Sequence, residues 1–241
     1  MDVLLLGGTG RTGGRVLQQL LARDVRVRAV VRSAEGLPVG VADDPRLSVV
    51  VADLPSMSDA EVREQLDGCD VVISCLGHVA SAQGVFGPPR DLVTRSVERV
   101  YRAAGDLQPS QPVRFILMSS VSVNRPGGLD TRRGPFERAV VSLLRGVVSP
   151  AKDNQGAADF LHDVVDAADP SLQWVAVRPD SLREGDVTQY ALHEGLVDSL
   201  FRPGRTNMAN VAHFMCELAT DETAWATWRG KLPVIVNTRP E

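Results

Sequence analysis

A glycine-rich turn close to the start of the chain constrains its fold more than any other feature. Four apolar residues, Val3–Leu6, precede the segment Gly7–Gly13, which reads GGTGRTG, and an apolar pattern with helical spacing follows. The glycines fit both GxGxxG, from Gly8, and GxxGxxG, from Gly7. Glycine here permits a tight turn, a close approach of the backbone to a pyrophosphate, and packing of the helix on the sheet. The sequence therefore predicts a strand, a phosphate-binding turn and a helix, the alternative being a turn without a ligand.

Apolar runs alternate with helical patterns along most of the chain. The expected strands are Val3–Leu6, Val25–Val31, Leu47–Val51, Val71–Ser74, Phe115–Met118, Trp174–Val177 and Leu232–Val236. The expected helices are Arg15–Leu21, Arg90–Ala104 with a C-terminal cap at Gly105, Asp153–Asp166 and Val211–Ala219. Runs that are apolar throughout indicate strands covered on both faces. We therefore expect an α/β fold, a doubly wound Rossmann-type, mostly parallel sheet with helices on both faces. It would form one domain over residues 1–241, with 180–206 as a candidate small substrate lobe.

Composition argues against several classes of protein. The net charge is −4, from 26 basic and 30 acidic residues, and no basic block indicates nucleic-acid binding. No apolar stretch approaches the roughly 20 residues that span a bilayer, and the N-terminal run is too short for a signal peptide. Cys69, Cys75 and Cys216 lack CxxC spacing, and the histidines are scattered, so we expect no disulfide framework and no metal site. Cysteine usage fits a cytoplasmic protein.

The end of the second expected strand bears on the choice of coenzyme. In dinucleotide-binding folds an acidic residue about 20 positions after the glycines binds the ribose hydroxyls. Here the strand ends in Val31, Arg32 and Ser33, with no carboxylate, and Arg11 lies inside the glycine turn. Two guanidinium groups near one 2′-phosphate favour NADP(H) over NAD(H). The alternative is that Arg32 is a solvated residue at a strand end.

Six segments carry a resemblance to a known superfamily. They are GGTGRTGG after the first strand, VVRS after the second, VADL ending at Leu54, SCLG at Ser74–Gly77, FILMSSVS at Phe115–Ser122 and VRPDSL at Val177–Leu182. In their order and spacing the chain resembles the short-chain dehydrogenase/reductase superfamily, in its atypical or extended branch. Within that branch it is similar to NAD(P)H-binding proteins that include flavin and biliverdin reductases, quinone reductases and nitrogen-metabolite-repression regulators.

The resemblance implies contacts for individual residues. Asp53 and Leu54 would flank the adenine, the segment Cys75–Gly77 would run under the ribose, and Pro179 would lie near the nicotinamide. For Asp53 the alternative is a cap of the next turn. With the residues named above, the expected cofactor-binding set is Gly7, Gly8, Thr9, Gly10, Arg11, Thr12, Gly13, Arg32, Ser33, Asp53, Leu54, Cys75, Leu76, Gly77, Ser119 and Pro179.

The sequence departs from this superfamily at its usual catalytic pair. Classical members use a Tyr as general acid, four residues before a Lys that lowers its pKa, with a Ser on the fifth strand. Tyr101 and Tyr190 are the two tyrosines, and neither is followed by Lys at the fourth position. Aligning the helix over 153–166 places Ala151 and Gln155 where the pair would stand. The standard alcohol/ketone mechanism is therefore not expected.

Polar residues near strand ends are the remaining candidates for the substrate side. Ser120 is the expected catalytic residue, hydrogen bonding near the nicotinamide or substrate, with Ser119 on the phosphate or ribose side. For either serine the alternative is pairing with strand-end backbone groups. Asn154 is a candidate to orient a ribose or substrate, beside Asp153, which is a candidate N-terminal helix cap. His78 is a candidate substrate residue or proton donor, the alternative being an ordinary loop histidine.

Two loops beyond strand ends could form an apolar lip for a planar acceptor. They are Gly84–Pro89, with Phe86, and Asn124–Pro135, followed by Phe136. Hydride transfer to a flavin, quinone or tetrapyrrole needs positioning more than a tyrosine acid. The leading hypothesis is thus an NADPH-dependent reductase of a planar conjugated acceptor, acting as a monomer or homodimer.

Two other functions stay open. A dinucleotide-sensing regulatory or scaffold protein that performs no turnover would also lack the Tyr/Lys pair. An isomerase or dehydratase that uses the nucleotide transiently would need another base.

Overall fold

The computed structural model describes residues 1–78, 90–125, 130, 134, 137, 140–141, 149–166, 168–199 and 201–238. Its strands are β1 Asp2–Leu6, β2 Arg26–Val31, β3 Leu47–Val51, β4 Val71–Ser74, β5 Val113–Met118, β6 Leu172–Pro179, β7 Ser181–Arg183, β8 Tyr190–His193, β9 Arg205–Asn207 and β10 Val234–Asn237. Eight of them form one sheet in the order β3-β2-β1-β4-β5-β6-β10-β8. Only β8 in that order runs antiparallel, to β10. The doubly wound, mostly parallel fold is confirmed.

The chain changes direction across the sheet between β1 and β4. Leu6 at the end of β1 lies opposite Val30 on one side and Ser74 on the other. Strands β2 and β3 extend the sheet on the first side, and β4 to β6 extend it on the second. In such sheets ligands bind outside the carboxyl ends of the strands at this point.

Helices cover both faces of the sheet. They are α1 Arg11–Leu21, α2 Asp59–Leu66, α3 Leu92–Leu107, α4 Ser149–Asp163, α5 Met208–Thr220 and α6 Glu222–Trp228. One apolar layer joins Leu17 of α1 and Phe214 of α5 to Ile116 of the sheet. The other joins Phe115 of the sheet to helices α2, α3 and α4. Strand side chains alternate between the two layers, so each buried strand is apolar throughout.

Most helix boundaries differ from those predicted, and three of these differences affect an interpretation made from the sequence. Helix α1 begins at Arg11, so only the last part of the glycine segment, Arg11 to Gly13, belongs to its first turn. Helix α3 passes through Gly105 and ends before Gln108, which is left-handed with a φ of 49°. The predicted cap at Gly105 is therefore wrong, because Pro109 disfavours helical geometry at Gln108 and sets the end there. Helix α4 begins at Ser149, so Asp153 lies inside it and is not its N-terminal cap.

Helix α2 was not predicted. Its apolar face is short, but its first turn carries a capping box: the Ser58 hydroxyl accepts from the Glu61 N–H, and the Glu61 carboxylate accepts from the Ser58 N–H. The SxxE pattern that produces this box is readable in the sequence.

The segment 180–206 divides between two sheets. Strand β8 joins the edge of the main sheet, whereas β7 pairs in parallel with β9 in a separate two-stranded sheet. A substrate lobe there stays a prediction. In the part of the chain that the structure describes, no helix is long and apolar enough to cross a membrane.

Candidate functional site

Three glycines of the opening turn are fixed by steric contacts. Gly7 has a φ of +80°, and a Cβ there would lie 2.8 Å from the backbone carbonyl of Cys75. A Cβ at Gly13 would lie 2.1 Å from the Gly7 oxygen, and one at Gly10 would lie 3.3 Å from it. A Cβ at Gly8 would meet only side chains. The geometry therefore matches the GxxGxxG spacing of Gly7, Gly10 and Gly13, in which Gly7 supplies the turn and Gly13 the close packing.

The N-terminus of α1 offers its backbone amides to a ligand. Gly10 stands at the cap position, with no side-chain hydrogen bond to the first turn and no acidic residue in it. Helix N-termini carry partial positive charge, and an uncapped one beside a glycine turn favours a phosphate. The glycine contacts and this uncapped end are what a dinucleotide pyrophosphate requires, so the residues fit the coenzyme.

Arg11 is the first residue of α1, and Arg32 directly follows β2. Among the described residues, neither guanidinium forms a hydrogen bond or ion pair, and both side chains are exposed. Ser33 caps the short turn Ala34–Gly36 by accepting from the Glu35 N–H at 3.2 Å. The two arginines are thus accessible to an anion, and their role as phosphate ligands stays a prediction, as does the alternative that Arg32 is a solvated residue at a strand end.

The adenine-side and ribose-side residues lie at neighbouring strand ends. Asp53 is exposed and stands at the cap position of the short turn Leu54–Ser56, but its carboxylate accepts from the Ser56 hydroxyl at 3.1 Å and from no backbone N–H of that turn. The Leu54 side chain is buried in the apolar layer between the sheet and helices α2, α3 and α4. The Cys75 N–H donates to Leu6, and burial raises the pKa of the Cys75 thiol far above its usual value. Cys75 is therefore not suited to act as a nucleophile.

The two serines after β5 differ in their surroundings. The Ser119 hydroxyl is buried and has no hydrogen-bond partner among the described residues, although its N–H donates to Val177 at 2.7 Å. The half-buried Ser120 hydroxyl accepts from the Ser122 N–H at 3.2 Å, which leaves its O–H to donate. Pro179 is buried beside them and its carbonyl accepts from the Val121 N–H. The roles predicted for Ser119, Ser120 and Pro179 stay predictions.

Gln155 cannot replace the missing lysine. Its side-chain amide is engaged with the backbone of Asn124, accepting from the N–H at 2.9 Å and donating to the carbonyl at 3.3 Å. It also donates to Asp159 at 2.7 Å. Asn154 is half-buried on the same helix, and its substrate role stays a prediction. Phe86 and Phe136 lie outside the described residues, as does most of the lip predicted from them.

A buried polar cluster at the end of β4 was not predicted from the sequence. The Asp153 carboxylate accepts from the backbone N–H groups of Val93 and Thr94, at 2.8 and 2.9 Å, and from the Thr94 hydroxyl at 2.7 Å. The Nε2 atom of His78 lies 2.8 Å from the same carboxylate, and the two side chains are 5% and 0% exposed. Asp153 therefore caps α3, a neighbouring helix, rather than its own. Only the fold brings these residues together, so no local pattern could have revealed the cluster.

A buried ion pair fixes the chain beyond β5. Arg178 is fully buried and donates to Asp130 at 2.7 Å, to the Leu232 carbonyl at 2.8 Å and to the Glu194 carbonyl at 3.1 Å. Burial opposes ionisation of Asp130, but the Arg125 N–H and the Arg178 guanidinium outweigh it and lower the pKa of the carboxyl. This network ties the segment after β5 to β6 and β10.

Asp180 directly follows β6 and is half-buried. It accepts from the N–H groups of Ser181 and Gly204, at 2.7 and 2.9 Å. Burial raises the pKa of Asp180 above its usual value despite these hydrogen bonds, and nearby Asp198 adds to the increase. In the described part of the chain, no three His, Cys, Asp or Glu side chains are grouped so as to hold a metal ion.

Comparisons with known proteins agree with this geometry. A family model described as NAD(P)H-binding matches residues 7–222. An uncharacterised chloroplastic protein from Arabidopsis thaliana is 33% identical over 125 residues, which are 51% of this chain and 42% of that protein. This chain therefore matches less than half of that relative's length.

Solved structures share the fold at low sequence identity. The oxidoreductase ylbE from Lactococcus lactis has a TM-score of 0.69 at 20% identity, covering 99% of this chain and 92% of that one. ChuY, an anaerobillin reductase from Escherichia coli O157:H7, has a TM-score of 0.68 at 20% identity over the whole of both chains. A wide-type short-chain dehydrogenase/reductase from Veillonella parvula, solved with NADP, has a TM-score of 0.66 at 14% identity, covering 98% of this chain and 94% of that one. At these identities the similarity shows the fold alone.

Proposed function

This chain belongs to the NAD(P)H-binding family, and from that premise we propose that it is an NADPH-dependent reductase of a planar conjugated acceptor. The observation that carries the proposal is the opening turn, where Gly7 and Gly13 are sterically required and α1 begins without a cap. When bound, the reduced nicotinamide supplies a hydride. The task of the chain is to hold the coenzyme and to position the acceptor against it.

The choice of NADP(H) rests on the charges around the adenosine end. Arg11 and Arg32 present exposed guanidinium groups without partners among the described residues, and β2 ends without a carboxylate. Guanidinium groups bind phosphate through paired, charge-assisted hydrogen bonds, whereas a carboxylate would repel a 2′-phosphate. The NADP found in the Veillonella parvula structure is consistent with this choice.

The choice of acceptor class rests on what α4 lacks. Ala151 stands where classical short-chain dehydrogenases/reductases have their tyrosine, and Gln155 is bound to the backbone of Asn124. Reduction of a simple ketone in that superfamily uses the tyrosine acid at this place, whereas a conjugated acceptor spreads the added charge over its ring system and does not depend on an acid there. Among the fold neighbours, ChuY is named an anaerobillin reductase.

Steady-state turnover tests this function. Full-length protein with NADPH is offered FMN, biliverdin and menadione in separate assays, and coenzyme oxidation is followed at its absorbance band. We expect at least one acceptor to be reduced faster than in protein-free controls, with NADPH preferred over NADH. Tight NADPH binding without reduction of any acceptor would contradict the reductase and favour a dinucleotide sensor, which the engaged Gln155 also fits.

A further inference from the structure

The proposed reductase has no assigned proton source, and the cluster around His78 lies next to the expected reaction site. Strands β4 and β5 pair in parallel with Ser74 opposite Leu117, so the segments 75–78 and 119–121 follow neighbouring strand ends. His78 belongs to the first segment, and the second contains Ser119 and Ser120. Both segments lie at the carboxyl edge of the sheet, where ligands bind in this fold.

Two buried hydroxyls mark the same side of that edge. Ser74 and Ser119 follow Val72 and Leu117 by two residues, so strand alternation directs them toward the layer that α3 and α4 cover. Neither hydroxyl has a hydrogen-bond partner among the described residues, and both are more than nine-tenths buried. Buried polar groups are nearly always paired in folded proteins, so these two hydroxyls leave unused hydrogen-bonding capacity, among the described residues, on this side of the edge. Asp153 of α4 lies on this side as well.

The hydrogen bonds of Asp153 determine the tautomer of His78. Its Oδ1 atom accepts from the Thr94 N–H and hydroxyl, and its Oδ2 atom accepts from the Val93 N–H. Because a carboxylate only accepts hydrogen bonds, the Nε2 atom of His78, 2.8 Å from Oδ2, must donate. The ring nitrogen that is left to exchange a proton is then Nδ1, which forms no hydrogen bond with a described residue. A histidine held in this way can carry a transferable proton on Nδ1.

We propose that His78 is the proton donor of the reaction and that Asp153 is its positioning residue. This inference rests on the proposed reductase function and narrows its substrate class. The acceptor would be one that gains a proton on oxygen or nitrogen as it is reduced, namely a quinone or a linear tetrapyrrole. A flavin that takes hydride at N5 spreads the resulting charge over its ring and has less need of an acid.

The step balances without any further reactant. The C4–H bond of the dihydronicotinamide breaks, and its electron pair forms the new bond to the acceptor, so the coenzyme is oxidised and the acceptor is reduced. The Nδ1–H bond of the His78 imidazolium breaks, and the proton goes to the oxygen or nitrogen on which negative charge develops. His78 is left as neutral imidazole and regains its proton from water. Asp153 accepts from Nε2 throughout and holds the orientation of the ring.

A pair of histidine variants tests the proposal in the full-length protein. His78→Gln keeps a donor toward Asp153 but has no proton to transfer. His162→Gln is the matched control, because His162 is exposed and also has a carboxylate partner, Asp163 at 2.7 Å. Rapid mixing of NADPH-loaded protein with menadione, biliverdin or FMN measures the first turnover, and thermal unfolding reports the fold.

We expect His78→Gln to slow menadione and biliverdin reduction by about 10²-fold or more, the range for loss of a general acid. The loss toward FMN should be much smaller, and NADPH should bind with nearly wild-type affinity. In His78→Ala, added imidazole should restore part of the lost rate, because it can enter the space and supply the proton. His162→Gln should behave as wild type with all three acceptors.

Other outcomes would overturn the proposal. Equal losses toward menadione and FMN, or a weaker NADPH affinity that accounts for the slower rate, would make His78 a structural or coenzyme-contacting residue. If the wild-type protein reduced FMN but neither menadione nor biliverdin, the reductase function would be supported and the role of His78 as proton donor would be contradicted. If none of the three acceptors caused NADPH oxidation, both the reductase function and the role of His78 would be contradicted.

Discussion

At the scale of single residues, the two outer glycines of the opening turn have different physical roles. Gly7 adopts a φ of +80° against the end of β4, a conformation that other residues rarely adopt. Gly13 is helical, and only the absence of a side chain lets α1 approach the Gly7 carbonyl. The sequence predicted both positions, because the spacing of glycines after a strand records these two constraints.

Alanine substitutions should separate a required glycine from a dispensable one. A Cβ at Gly13 would lie 2.1 Å from a backbone oxygen, so we expect Gly13→Ala to destabilise the fold by about 1–3 kcal/mol or more and to abolish NADPH binding. Gly105 lies inside α3 with open space around it, so Gly105→Ala should stabilise the protein by roughly 0.5–1 kcal/mol. Denaturant unfolding measures the stability of both variants. Equal effects would contradict the steric account.

The cluster around His78 shows where residue-level prediction fails. His78 and Asp153 are separated by 75 positions in the chain, and their contact depends on how α4 packs beside the start of α3. Asp153 was predicted to cap its own helix, since Asp is common at that position. In the structure the Asp153 carboxylate caps the neighbouring helix α3 instead. A local sequence pattern does not encode a contact between two helices.

At the scale of elements, buried polar groups hold together segments that are distant in sequence. Arg178 of β6 donates to Asp130, to the Leu232 carbonyl before β10 and to the Glu194 carbonyl after β8. The sequence predicted β6 and β10 from their apolar runs. It gave no signal for this network, because an isolated Arg in an apolar strand does not reveal its partner.

Removing the charge of Asp130 should destabilise this part of the sheet. The Arg178 and Asp130 side chains are 0% and 2% exposed, so Asp130→Asn removes the negative charge from a buried ion pair. We expect a loss of about 3–5 kcal/mol in the free energy of unfolding. Asp24→Asn is the control: its carboxylate pairs with Arg46 at the surface, and Asn tolerates the φ of 58° at that position. A loss no larger than for Asp24→Asn, about 1 kcal/mol or less, would contradict this account.

The same ion pair gives a pH dependence with a defined sign. Folding lowers the pKa of Asp130, so the folded state favours its ionised form more than the unfolded chain does. The stability that this carboxylate contributes is therefore present above its unfolded pKa of about 4 and is lost as the pH falls through its folded pKa. Wild-type unfolding free energies measured from pH 7 downward should fall toward those of Asp130→Asn. A constant difference between the two proteins would contradict the assignment.

At the scale of the whole molecule, the sheet brings the proposed coenzyme-binding and reaction segments to one edge. The ends of β1, β2 and β4 carry the glycine turn, Arg32 and the segment up to His78, and the end of β5 carries Ser119 and Ser120. Alternation of apolar strands and helices was enough to predict this arrangement. The acceptor could not be predicted, because substrate specificity depends on loops and not on the fold.

A titration of the full-length protein with NADPH and with NADH tests the central claim most directly. We expect NADPH to bind at one site and to raise the melting temperature, and NADH to bind more weakly. In Arg32→Ala, loss of charge-assisted hydrogen bonds worth about 1.5–3 kcal/mol should weaken NADPH binding roughly 10- to 100-fold. Absence of NADPH binding would contradict the account of the glycine turn, and equal affinity for NADH would contradict the role of the arginines.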